Sequence, residues 1–148
     1  MTSNDPHDLN RFVRAQEHGY ARALAEIRSG RKCMHWMWYS FPQRDGLGFS
    51  ETARRYAIRG LDEARAYLEH PVLGPRLVAC AEALLAVQGR SARDILGTPD
   101  DLKLCSCATL FAEVSPSDSV FHRLIEIYFG GAPDARTLTL LGQSADRA

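Results

Sequence analysis

Apolar residues in this 148-residue chain return at three- and four-residue steps, and no segment alternates in steps of two. Period-two alternation is what a half-buried strand needs, and a period near 3.6 is what an amphipathic helix needs. The chain is therefore expected to be all-α, one compact domain of about seven or eight helices, several of them short. Its length matches one domain, with residues 5–141 forming the fold and 1–4 and 142–148 expected as flexible tails.

The first stripe is Leu9, Phe12, Val13, Gln16, Tyr20, Leu24 and Ile27. It predicts one long helix, opened by Asp5-Pro6 and closed by Ser29-Gly30, with Gln16 as its single polar interruption. Arg11, Arg14, Glu17, Arg22 and Glu26 fall on the opposite, solvated face. Met34 to Ser40 is read as a short helix that Pro42 breaks. Ser50 is an N-cap, with Glu51 in the first turn of a helix reaching about Ile58 and Ala53, Tyr56 and Ala57 turned inward. Further helices are expected over Leu61–Glu69, from about Pro75 to Gln88 as the central one, and over Ser91–Leu96. After Thr98-Pro99-Asp100-Asp101, a strong start signal, a helix should bury Leu102, Cys105 and Thr109. The stripe Val120, Phe121, Leu124, Ile125, Tyr128 and Phe129 marks the last large helix, and Pro133-Asp134 opens a short one over Ala135 to Leu141.

Charge narrows function. The chain carries 18 basic and 18 acidic residues, a formal net charge of zero. Counterion release favours a basic protein as a nucleic-acid binder, so nucleic acid is not the expected partner. No run approaches the roughly 18 apolar residues of a membrane span, and residues 1–8 are polar, so a cytoplasmic location is expected. Cys33, Cys80, Cys105 and Cys107 lack the paired spacing of a zinc site and read as reduced, core-filling thiols. No metal and no cofactor is expected. The phosphate-binding, nucleophile-elbow and metalloprotease motifs are absent.

The densest chemistry lies between Lys32 and Ser50. Both tryptophans, Trp36 and Trp38, are there, with Tyr39, Phe41, Phe49, His35, Gln43 and the Gly46-Leu47-Gly48 turn. On a helix Trp36 and Trp38 would point about 200° apart. One can then serve the core while the other lines a cleft, where an indole face stacks on a base or sugar. A purely structural aromatic cluster uses the same residues. Lys103, Ser106 and Thr109 recur every three residues, which places them on one helix face suited to an anion. Arg54, Arg55 and Arg59 give another helix a positive side.

These residues support two readings of different kinds. In the first, His35, Trp36, Trp38, Tyr39, Gln43, Gly46 and Gly48 face Lys103, Ser106 and Thr109 across a cleft. The cleft binds or hydrolyses a nucleotide-like ligand such as ADP-ribose or a ribosyl phosphate. Lys103 and Arg55 would hold the anion, and Glu51 or Asp101 would be the acid-base group. In the second, the chain is a non-enzymatic interaction domain and the aromatic stretch is its core or its partner surface.

Several phrases resemble a known bacterial family. They are His35-Trp-Met-Trp-Tyr-Ser-Phe-Pro-Gln43, Gly46-Leu-Gly48, Arg55-Tyr-Ala-Ile58, Glu63-Ala-Arg-Ala-Tyr-Leu68, His70-Pro-Val-Leu-Gly-Pro-Arg-Leu77, Asp101-Leu-Lys-Leu104 and Thr109-Leu-Phe111. Together with Asp8-Leu-Asn-Arg-Phe-Val-Arg-Ala-Gln16 they resemble the domain-of-unknown-function family eighteen-ten over about residues 5 to 141. The resemblance implies an all-α fold and brings no established activity. Ser106-Cys107-Ala108 departs from the Ser-Ser-Met run usual there. A fainter similarity in segment order points to the N-glycosidases of ADP-ribose-linked and riboflavin-pathway intermediates. It implies an acid at about Glu51, although the Trp-Gly signature near that family's end is missing.

Overall fold

Ten helices and no strand are found among the described residues of the computed structural model, which covers the backbone of residues 5–147 and side chains through residue 142. The order is α1 (Asn10–Gln16), α2 (Tyr20–Ser29), α3 (Met37–Ser40), α4 (Glu51–Arg55), α5 (Leu61–Glu69), α6 (Leu73–Ala86), α7 (Ala92–Leu96), α8 (Asp100–Ala112), α9 (Val120–Phe129) and α10 (Ala135–Arg147). The all-α class expected from the periodicity holds. None of these helices is long and apolar enough to cross a membrane.

α6 and α8 carry the core. α6 packs on α2, α5 and α9, and α8 packs on α5, α7, α9 and α10. Every residue of α8 from Leu104 to Ala112 is buried, so this helix runs through the interior rather than along it. Leu102, expected inside, is instead 60% exposed. It lies within the first turn, before α8 enters the core. A relay of ring contacts links the domain from one side to the other. Trp38 meets Tyr56, Tyr56 meets Phe12, Phe12 meets Tyr67, Tyr67 meets Phe111 and Phe111 meets Phe121, with ring centroids 4.4 to 5.7 Å apart. Such offset and edge-on pairs add about 0.5–1.5 kcal/mol each beyond their burial.

The single first helix is in fact two. α1 stops at Gln16 and α2 restarts at Tyr20, so one stripe is shared by two helices. Gly19 at the break lies against Tyr39, whose hydroxyl would fall 1.8 Å from any Cβ placed there. Gln16 is not a flaw in the stripe. Its amide nitrogen donates to the Tyr39 carbonyl at 2.8 Å and to the Tyr67 hydroxyl at 3.2 Å, and its oxygen accepts from Arg76 at 3.3 Å. Arg11 leaves the solvated face expected of it. Its guanidinium reaches five oxygens, among them the buried Glu63 carboxylate at 2.8 Å.

Other boundaries move as well. The helix expected to open at Asp5-Pro6 starts instead at Asn10, with Leu9 at its N-cap, and the Asp5 carboxylate accepts from the backbone of Leu9 and Asn10 in the turn that leads into it. α4 ends before Ile58 because the chain there turns to pair with the preceding loop. Ile58 donates to the Gln43 carbonyl and Asp45 donates back to Ile58, both at 2.8 Å. α10 runs on to Arg147, past the expected end at Leu141. Residues 1–4 of the expected N-terminal tail, and residue 148, lie outside the described residues.

Candidate functional site

The sequence between Phe41 and Ser50 is held open rather than collapsed. The Arg44–Ile58 bridge ties its start to the end of α4. Gly46, at φ +102°, packs against Leu140, and its carbonyl accepts from Arg136 at 3.4 Å. Only glycine adopts that φ freely. Gly48 sits so close to Ala53 that an added Cβ would meet it at 2.5 Å. Ser50 then caps α4, accepting from the Ala53 N–H at 3.0 Å. The loop is thereby fixed as one wall of a cleft of about 710 Å³.

Trp38 and Tyr56 form the aromatic wall, with ring centroids 4.4 Å apart. Lys103 and Ser106 project from α8, and Asp134 and Arg136 come from the start of α10. Gln43, Arg44 and His35 add to the polar lining, and Phe49 and Leu102 are its exposed apolar members. A volume of this size suits a drug-sized or nucleotide-sized molecule.

The cationic side has a defined support. Lys103 lies 3.5 Å from one oxygen of Asp100, and Lys32 lies 2.9 Å from the other. Lys32 is also 5.6 Å from the Trp36 ring centroid. Asp100 thus stands between two ammonium groups, only one of which lines the cleft. Asp134 is anchored as the α10 cap. Its Oδ2 accepts from the Thr137 N–H at 2.9 Å and the Thr137 hydroxyl at 2.6 Å, and its own N–H donates to Thr109 Oγ1 at 2.8 Å.

The residues singled out in the sequence divide into three groups. His35, Trp38, Gln43, Gly48, Lys103 and Ser106 share this cleft. Gly46 belongs to its loop. Trp36, Tyr39 and Thr109 are buried and serve the core: Trp36 donates to Glu26 at 2.7 Å, Tyr39 fills the space beside Gly19, and Thr109 holds Asp134. Burial, together with the Glu26 charge, raises the Tyr39 phenol pKa above its ordinary value. Arg55 lines a different depression. Glu51 is exposed and Asp101 part-buried, and neither lines the cleft. Asp101 Oδ1 has no hydrogen-bond partner among the described residues.

Sequence reasoning did not place Arg44, Asp134 or Arg136 at the site. Asp134 and Arg136 lie about thirty residues beyond Lys103 in a segment that offered only a helix-start signal, and no local pattern marks a residue brought in by chain return.

A family model described as protein of unknown function DUF1810 matches residues 6–141. The chain belongs to the DUF1810 family. The motif resemblance therefore holds across nearly the whole domain. Among solved structures, the crystal structure of the conserved hypothetical protein Rv1873 from Mycobacterium tuberculosis is 52% identical, covers 93% of this chain and 99% of its own, and has a TM-score of 0.91. No functionally curated protein matches this DUF1810 chain.

Proposed function

We propose that this DUF1810 domain binds a nucleotide-like anion, with ADP-ribose or a ribosyl phosphate as the ligand class, in the Trp38–Lys103 cleft. One observation carries this: the Trp38 and Tyr56 rings, in contact with centroids 4.4 Å apart and tilted 47° to each other, line the same cavity as the cations Lys103 and Arg136. An aromatic face suits a base or a sugar edge, and fixed cations beside it suit the phosphate. The carboxylate lining the cleft, Asp134, has Oδ2 committed to capping α10, and Glu51 and Asp101 lie outside the lining. The geometry therefore supports binding better than N-glycoside hydrolysis.

The test is tryptophan emission during titration with ADP-ribose, NAD and ribose 5-phosphate. Trp36 is buried, so a change reports Trp38. A saturable change that Lys103→Ala weakens at least tenfold supports the proposal. No change with any of the three, in a folded protein, overturns it.

A second reading rests on Phe49 and Leu102, which are 70% and 60% exposed and line the same cleft. Exposed apolar side chains together are also what a protein partner would cover. That partner would be found by pull-down if the nucleotides fail.

A further inference from the structure

α4 has two faces, and only one of them serves the aromatic cleft. Thr52, Ala53 and Tyr56 line that cleft, whereas Arg54 and Arg55 line a separate depression of about 780 Å³. Arg59, from the turn after α4, and Arg65, from α5, join them.

The floor of this depression is internally satisfied. Arg11 uses five hydrogen bonds, to His7, Asp8, Arg55, Ala57 and Glu63, which matches the five donors of a guanidinium. Buried Glu63 accepts from Arg11 on one oxygen and from the Arg59 N–H on the other. Arg65 pairs with Asp62 at 3.2 Å. What remains is three guanidinium groups, on Arg54, Arg55 and Arg59, that make no ion pair among the described residues. Five arginines against Asp8, Asp62 and Glu63 leave a local charge of two positive in a chain whose formal charge is zero.

We propose that this arginine-rimmed depression is a second binding site, for a small phosphate ester carrying a diphosphate. Arginine forks match phosphate oxygens two at a time. Three of them on a concave rim, above a floor that Arg11 and Glu63 already neutralise, call for a ligand with several acceptors and about two negative charges. A nucleic acid is the poorer fit, because the cations surround a hollow and the rest of the chain supplies no basic excess. This site shares no lining residue with the aromatic cleft, although the Arg55 guanidinium lies 5.6 Å from the ring centroid of Tyr56 in the cleft wall.

The experiment is isothermal titration of the full chain with inorganic pyrophosphate at fixed ionic strength, with sulfate as comparator. One-to-one binding is expected, tighter than for sulfate. It should weaken tenfold or more in the Arg55→Gln/Arg59→Gln double variant and stay unchanged in Lys103→Ala. All three side chains are exposed, and Arg54→Gln provides a second, single-site variant with a smaller loss. Absence of saturable binding, equal affinity for sulfate, or a loss confined to Lys103→Ala would overturn the proposal.

Discussion

The Trp36 indole N–H donates to Glu26 Oε1 at 2.7 Å, and the same oxygen accepts from the backbone N–H groups of Cys33 at 2.7 Å and Met34 at 3.0 Å. One carboxylate oxygen thus ties the end of α2 to the start of the aromatic stretch. Burial pushes the Glu26 carboxyl pKa up, but the hydrogen bonds, led by that from Cys33, outweigh it and leave it below the ordinary value.

Glu26→Gln is expected to destabilise the fold by about 1–2 kcal/mol at neutral pH, since a charged acceptor becomes a neutral one. A carboxyl whose folded pKa is lowered stabilises the fold above its unfolded pKa, and that contribution is lost as pH falls through the folded pKa. The gap between wild type and Glu26→Gln in urea unfolding should therefore narrow below about pH 4. A gap that stays constant down to acid pH would remove Glu26 ionisation as the cause.

Asp100 stands between Lys32 and Lys103, and the Lys32–Asp100 pair is only 10% and 17% exposed. Asp100→Asn should cost about 1–2 kcal/mol of stability, intermediate between a surface pair and a buried one. It should also tighten ADP-ribose binding by about threefold, roughly 0.7 kcal/mol, because Lys103, which lines the cleft, loses the carboxylate it pairs with. Weaker binding in Asp100→Asn would mean that the aspartate positions Lys103 rather than competing for it.

Thr109 Oγ1 donates to the Cys105 carbonyl and accepts from the Asp134 N–H, both at 2.8 Å. Thr109→Val keeps the shape and leaves that N–H without its partner, at a cost of about 1–3 kcal/mol. Hydrogen exchange at Asp134 should accelerate in the variant. An unchanged rate together with unchanged stability would deny Thr109 this structural role.

Gly74 of α6 faces the Leu68 carbonyl, whose oxygen would lie 2.0 Å from an added Cβ. The obstacle is backbone, so Gly74→Ala should destabilise by about 3 kcal/mol, the upper end of ordinary overpacking. Thermal unfolding measures it. A variant as stable as wild type would show that α5 and α6 can separate without loss.

Cys33 is exposed, whereas Cys80, Cys105 and Cys107 are buried. Burial pushes the Cys80 thiol up to about 12 and raises Cys105 and Cys107 as well. A chromogenic thiol reagent at neutral pH should react with one thiol quickly and with the other three only on unfolding. Two fast thiols in the folded protein would contradict this arrangement.

Helical periodicity determined the class of this fold, and together with start and stop signals it determined the positions of α5 to α9, because those signals are written locally. The same signal merged α1 and α2, since nothing in the stripe from Leu9 to Ile27 shows that Tyr39 needs the space beside Gly19. It also left Arg11 in solvent, because its five partners include residues more than forty positions away. Composition singled out the aromatic stretch, and helical geometry kept Trp36 and Trp38 apart. Only the tertiary structure decided that Trp36 is bonded to Glu26 while Trp38 opens to a cleft with Lys103 and Arg136. Periodicity records which face of a segment is buried. Which side chains meet across a cleft depends on how distant segments return to one another, and that is fixed by packing.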